Sequence, residues 1–111
     1  MNKSLGFVTV TTAATPVRCT ANEGTPSADL FVHSYLVEAA STNLGKIWIG
    51  TATMNKSTGA GVYGILAPPS STTYPSFSSN IVGAANAFPM QQIYLDADNS
   101  GEKALVSVVI A

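Results

Sequence analysis

The chain has 111 residues and a formal net charge of -1, with 46% hydrophobic and only 10% charged residues. This length suits one domain. Serine and threonine make up about a fifth of the chain by direct count, which predicts a largely neutral, hydroxylated surface. The five basic residues are scattered and form no basic stripe, so we expect no nucleic-acid partner. No apolar run approaches the ~18 residues of a membrane span, so we expect no membrane partner.

β-strand patterns follow one another along the chain, and helix signals are nearly absent. Residues 6–14, GFVTVTTAA, alternate with a period of two, so residues 1–14 are interpreted as an N-terminal extended arm or as a first strand. The strongest strand pattern is LFVHSYLVEAA, residues 30–40, with Phe31, His33 and Tyr35 on one face. A helix is the rival interpretation, but the aromatic and β-branched residues and the lack of a helix cap favour a strand. Further strands are predicted at residues 17–21, 46–54, 62–68, 90–97 and 103–110, with short strands on either side of Gly83.

A proline-bearing stretch, Pro68 to Phe77, interrupts the strands and is predicted to be a surface loop, because proline lacks the amide donor of a central strand. Seven or eight short strands at a spacing of about a dozen residues are typical of an antiparallel sandwich. The predicted fold class is therefore all-β, an antiparallel β-sandwich of the jelly-roll type. Its domain spans residues 15–111, preceded by the arm or first strand at residues 1–14.

The stretch DADNSGE, Asp96 to Glu102, resembles the first half of a calcium loop. Asp96, Asp98 and Ser100 alternate before Gly101, as in an EF-hand. The twelfth position, which needs a bidentate carboxylate, is Ser107 inside a valine-rich strand, and strands rather than helices flank the loop. The competing interpretation is the tip of a hairpin, with Gly101 at positive φ. We favour the hairpin and predict that calcium changes neither stability nor docking.

No catalytic constellation is apparent, so we predict that the protein is not an enzyme and needs no cofactor or metal. His33 and Cys19 are the only residues of their types, and no G-x-S-x-G elbow accompanies them. A zinc site usually needs three protein ligands, which one histidine and one cysteine do not supply. The aromatic residues Trp48, Tyr63 and Tyr74 leave one alternative open, a carbohydrate-binding module that stacks sugars on exposed rings.

Three segments, residues 39–50 (AASTNLGKIWIG), 57–69 (STGAGVYGILAPP) and 91–110 (QQIYLDADNSGEKALVSVVI), carry a resemblance to known proteins. Their order is a strand, an N-x-G turn, a strand ending in glycine, a proline-bearing loop, an I-Y-x-D strand, a G-[DE]-K turn and a valine-rich last strand. This order resembles the capsid decoration, or staple, proteins of epsilon-fifteen-like short-tailed bacteriophages. The resemblance covers most of the chain from Arg18 onward, and residues 1–12 match least well.

The resemblance implies a jelly-roll-like sandwich on the outer surface of an icosahedral head. It also implies that the protein is made in the host cytoplasm before it binds the virion. It also implies contact with a major capsid protein of the HK97-like fold and self-association, with a dimer favoured. The N-terminal segment LGFVTVTT, residues 5–12, alternates after a glycine. We therefore expect it to add a strand to the sheet edge of a neighbouring molecule. The predicted contact residues for the capsid or a second copy are Leu5, Phe7, Val8 and Val10. On this hypothesis, deletion of residues 1–10 weakens docking but leaves the melting temperature nearly unchanged.

Overall fold

The computed structural model describes residues 2–23, 30–70, 72–80 and 87–111. Within these ranges the chain is all-β, apart from a 3-10 turn at Met90–Gln92. The strands are β1 (Asn2–Thr9), β2 (Val17–Arg18), β3 (Phe31–Ala39), β4 (Ile47–Gly50), β5 (Val62–Leu66), β6 (Ser76–Asn80), β7 (Phe88–Pro89), β8 (Tyr94–Ala97) and β9 (Lys103–Ile110). The predicted all-β class and the predicted β-sandwich architecture are therefore confirmed.

Two antiparallel sheets form the molecule. Sheet A has the order β1-β9-β3-β6, with the short strand β7 also paired to β3, and sheet B has the order β2-β8-β4-β5. Four of the pairs are nested: β1 with β9, β2 with β8, β3 with β6, and β4 with β5. The pairings of β3 with β9 and of β4 with β8 join alternate members of this nest, the first with the third and the second with the fourth.

The hydrophobic core lies between the sheets, because alternate side chains on each strand point to opposite faces. Val37 and Val106 line the core from sheet A, and Ile47, Ile49 and Leu95 line it from sheet B, all of them fully buried. Cys19 and Met90 are also fully buried in this cluster. Burial of this kind is worth about 1.5–3 kcal/mol for each large aliphatic side chain, so the two sheets depend on each other for stability.

The first strand is part of this core rather than an arm. β1 pairs with β9 from Asn2 to Thr9, and Leu5, Val8 and Val10 are buried at 2%, 1% and 0% exposure. Gly6 has φ 75°, and the register shifts between Ser4 and Gly6, so Leu5 is the additional residue of a β-bulge. Of the two interpretations of residues 1–14, the first strand applies and the free arm is wrong.

Two local predictions fail beside the prolines. β6 begins at Ser76, inside the stretch predicted as a loop, because the carbonyl of Pro75 can still accept a hydrogen bond from Ala39 N–H at 3.3 Å. Met90–Gln92 forms a 3-10 turn, although this stretch was predicted to begin a strand. The predicted strands around Gly83 lie partly outside the described residues, with β6 and β7 on either side. Within the described ranges, no helix is long and apolar enough to cross a membrane.

Candidate docking face

The outer face of sheet A carries partly exposed apolar side chains on the longest paired strands of the molecule. Alternation along β3 and β9 points Leu36, Leu105 and Val109 away from the core, while Val37, Val106 and Val108 point into it. Phe7, which lies opposite Leu105 on β1, extends this surface and is 49% exposed. We call this surface the sheet A face.

Serine side chains fill the space between these apolar groups. The central cross-strand row runs from Ser4 through Ser107 and Leu36 to Ser78. A concavity of about 490 Å³ lies over this row and is lined by residues from β1, β9, β3 and β6. A shallow, neutral groove of this kind can exclude water from a partner's apolar side chains and still hydrogen-bond the groups between them.

The charges at this face are balanced. Glu38 lies opposite Leu105, and the Lys103 ammonium lies 4.8 Å from the centre of the Phe7 ring. At the rim, Lys3 forms a 2.6 Å ion pair with Glu23. Acidic and basic groups therefore occur together, so the sheet A face does not select a strongly charged partner.

The structure places three of the four predicted contact residues away from this surface. Leu5, Val8 and Val10 point into the core, and only Phe7 has an exposed side chain. The free edge of β1 is also occupied, because Asn22 Nδ2 donates to Leu5 O at 3.1 Å and to Phe7 O at 2.7 Å. Asn22 thus covers part of this edge. The strand addition through the N-terminal segment stays a prediction.

The DADNSGE stretch is not the tip of a hairpin. β8 pairs with β2 and β4 in sheet B, whereas β9 pairs with β1 and β3 in sheet A, so the loop between them crosses from one sheet to the other. The positive φ of 86° predicted for Gly101 is present. Gly101 N–H donates to Val10 O at 2.7 Å, and this bond ties the crossing loop to the end of the first strand segment.

Acceptor groups of this loop take hydrogen bonds from backbone amides and from the Trp48 side chain. Asp96 Oδ1 accepts from Ala14 N–H at 2.9 Å and from the adjacent Ala97 N–H at 2.7 Å. Asp98 accepts from the Trp48 indole at 2.9 Å. Glu102 accepts from the backbone amides of Leu44 and Gly45, and Ser100 Oγ accepts from Ala13 N–H at 2.9 Å. The polar composition of the loop is therefore explained by structural hydrogen bonds.

A lysine occupies the position that a cation would take beside these carboxylates. Lys56 Nζ lies 3.5 Å from Asp96 Oδ2 and 3.9 Å from Asp98 Oδ1, and it donates to Ala97 O at 3.1 Å. Among the described residues, no three histidine, cysteine or acidic side chains are grouped as a metal site would require. Lys56 therefore pairs with the carboxylates that a calcium ion would need, and the absence of calcium binding stays a prediction.

The two residues considered as a nucleophile pair lie in different environments. Cys19 is fully buried in the core, and desolvation raises the pKa of its thiol well above the usual range, so the thiol stays protonated at neutral pH. His33 lies on β3 where the register shifts between Val32 and Ser34, and it is half-buried. A protonated core thiol is a poor nucleophile, so this pair offers no route to covalent catalysis.

The three aromatic residues considered for sugar stacking also occupy different places. Trp48 is half-buried on the outer face of sheet B, and the Lys46 ammonium lies 5.9 Å from the centre of its ring. Tyr74 lies on the loop before β6, and Tyr63 lines a cleft together with Phe77. Within the described residues, no ring contact joins these three side chains. These three rings therefore do not form one shared stacking surface, and the carbohydrate-binding alternative stays a prediction.

No family model matches the chain, and neither a curated protein nor a solved structure matches it. The resemblance to phage decoration proteins therefore stays a prediction.

Proposed function

We propose that the protein is a non-enzymatic virion structural protein that binds the outer surface of an icosahedral phage capsid. It staples neighbouring major capsid subunits of the HK97-like fold and stabilises the head against internal DNA pressure. The observation that carries this proposal is the sheet A face, a neutral groove of leucine, valine and serine side chains on the long paired strands of one sheet. Rigid strands suit a staple because docking then orders few side chains.

The segments that carry the family resemblance are joined to one another in the fold. Asn43 of the N-x-G turn is buried, donates from Nδ2 to Lys103 O at 2.7 Å, and accepts from Lys103 N–H at 3.2 Å. Glu102 of the G-[DE]-K turn accepts from Gly45 N–H at 3.0 Å. Each turn therefore completes the hydrogen bonding of the other. This pairing supports the interpretation of the two motifs as parts of one unit.

We further propose that the sandwich is a jelly roll. The nested pairs β1–β9, β2–β8, β3–β6 and β4–β5 are the pairs of one long hairpin whose closed end lies between β4 and β5. Rolling such a hairpin produces two sheets that share its strands alternately, and the order in sheets A and B supports this arrangement. The short β7 is an addition beside β3.

Weak individual contacts are sufficient for this function. The chain's net charge of -1 gives little electrostatic attraction, so docking depends on apolar and hydrogen-bonding contacts. A staple that touches two subunits, or that pairs with a second copy, gains from effective concentration, because the second contact forms intramolecularly. The stabilisation of the head is then the sum of many small interfaces.

Docking is tested with purified protein and expanded, undecorated heads made from the major capsid protein encoded beside the chain's gene. We expect saturable co-sedimentation with the heads. Leu36→Asp places a charge in the middle of the sheet A face and should weaken this binding by about tenfold or more. The matched control is Ile65→Asp, because Ile65 is 51% exposed on the outer face of sheet B and should not affect docking.

Both variants are compared by thermal melting first, since aspartate is disfavoured in strands. The proposal is wrong if the unaltered protein does not bind the heads, or if a folded Leu36→Asp variant binds as well as the unaltered protein. It is also wrong if the gene has no major capsid gene near it.

A further inference from the structure

A second concave site lies away from the sheet A face, where the edge strands β5 and β6 of the two sheets approach each other. This aromatic cleft has a volume of about 370 Å³ and is lined by Tyr35, Tyr63, Phe77 and Phe88, together with Ser79 and Gln92. The volume lies within the range of small-molecule sites. Tyr35 also borders the groove over the outward row of serines, but the other residues of the cleft do not, and none of them belongs to the DADNSGE loop.

Packing of the rings gives the cleft a fixed floor. Tyr35 is buried at 5% exposure, lies edge-on to Phe88 with ring centres 5.7 Å apart, and lies 6.1 Å from the Phe77 ring. Gly64 permits this arrangement, because a Cβ at that position would lie 2.5 Å from Phe77 Cδ1. Because Gly64 has no side chain, the Phe77 ring lies directly against β5. This contact joins the two sheets beneath the cleft.

One aromatic ring at the mouth of the cleft is available for stacking. Tyr63 is 52% exposed, unlike Tyr35, and it lies on the edge strand β5. An exposed aromatic face at the mouth of a concave site offers an apolar surface on which the C–H face of a sugar ring can stack. Because the neighbouring rings are packed against Tyr35, little side-chain entropy is lost when a ligand binds.

Polar groups of the cleft can both donate and accept hydrogen bonds. They are the hydroxyls of Tyr35, Tyr63 and Ser79 and the amide of Gln92. Ser79 hydrogen-bonds Tyr35, and burial raises the pKa of Tyr35 to about 12, so its phenol stays neutral. Every one of the described lining side chains is uncharged at neutral pH, which disfavours ionic ligands.

We propose that the aromatic cleft binds a neutral saccharide, with one sugar ring stacked on Tyr63 and its hydroxyls hydrogen-bonded to Ser79 and Gln92. Sugar hydroxyls are donors and acceptors at once, which matches the groups of the cleft. A proline-rich segment, the other ligand that aromatic grooves recognise, presents only carbonyl acceptors along its prolines and would leave the acceptor groups of the cleft unused. The proposal does not depend on capsid docking, because it concerns a different surface.

Binding is tested by NMR titration of the free, full-length protein with maltose, lactose and cellobiose, each up to about 10 mM, the range of weak sugar affinities. We expect shifts confined to residues of the cleft. Tyr63→Ala should weaken binding by about tenfold, whereas Tyr63→Phe should retain stacking. The matched control is Tyr74→Ala, since Tyr74 is 65% exposed but lies outside the cleft.

The proposal is overturned if none of the three sugars shifts the cleft resonances, or if Tyr63→Ala binds as well as the unaltered protein. It is equally overturned if a decaproline peptide binds the cleft and the sugars do not. Loss of sugar binding in the Tyr74→Ala control would place the site elsewhere. Since the assay contains no capsid, failure of head docking leaves this result unchanged, and failure of sugar binding leaves head docking unchanged.

Discussion

The Asp96 carboxylate lies inside the protein, where a charge needs partners. The residue is 2% exposed, accepts two backbone hydrogen bonds through Oδ1, and lies 3.5 Å from Lys56 Nζ through Oδ2. Asp98 has a similar place in the sequence, but its side chain is 40% exposed. Two carboxylates separated by one residue in DADNSGE therefore contribute differently to stability.

Replacing Asp96 by alanine should lower the free energy of unfolding by about 3 kcal/mol, because it leaves two backbone amides without their acceptor and removes the buried carboxylate that pairs with Lys56. Asp96→Asn should lower it less, since the amide oxygen can still accept both hydrogen bonds. The control, Asp98→Ala, should cost about 1 kcal/mol. Urea denaturation with a constant m-value measures the difference. Equal, small effects of Asp96→Ala and Asp98→Ala would show that the loop behaves as a solvated turn.

The sequence shows which residue types the loop contains, but it does not predict which groups they contact in the fold. The missing carboxylate at Ser107 was sufficient to argue against an EF-hand, and the positive φ of Gly101 was also predictable. The contact with Lys56 was not, because Lys56 lies 40 positions before Asp96 and only the folded chain brings them together. Burial of Asp96 follows from the same long-range packing, which no local pattern reports.

At the scale of elements, the period-two alternation predicted where strands occur, but it did not predict which strands pair with one another. The period of two correctly separated Phe7 from Val8, and the observed β1 preserves that division between outside and inside. Consecutive strands usually pair, which favoured a hairpin between β8 and β9. In the structure they belong to different sheets, since β9 pairs with β1 from the far end of the chain. Sheet membership is decided by such distant pairings.

Deletion of residues 1–9 should abolish cooperative folding. It removes the strand that covers one edge of β9 and two core side chains, Leu5 and Val8, each worth about 1.5–3 kcal/mol when buried. This loss is comparable with the 5–15 kcal/mol stability of a typical domain. Thermal unfolding followed by circular dichroism measures the effect. This prediction replaces the earlier expectation of an unchanged melting temperature, which required the segment to be a free arm.

Lys3→Ala serves as the control for this deletion. It removes the ion pair between the Lys3 side chain, which is 45% exposed, and Glu23, and should change the free energy of unfolding by about 1 kcal/mol or less. A truncated chain that melts at the same temperature as the full chain would contradict the placement of β1 in the core.

For the whole molecule, low charge makes the ionic-strength dependence of docking a sharp test of the proposed function. The sheet A face carries Glu38 and Lys103 with opposite signs, and the whole chain has a net charge of -1. Salt screens contacts between exposed charges, with a Debye length falling from about 10 Å at 0.1 M to 3 Å at 1 M. Burial of apolar surface is not weakened in this way and is strengthened by sulfate.

Affinity for undecorated heads should therefore change by less than about threefold between 0.1 M and 1 M sodium chloride, and should rise in ammonium sulfate. Co-sedimentation at each salt concentration measures it, with head integrity checked by electron microscopy. Glu38→Gln provides the matched control, because it removes a charge from the sheet A face while keeping its shape, and it should leave the affinity unchanged. A steep loss of affinity with salt would mean that charged groups outside the leucine, valine and serine groove hold the protein on the capsid.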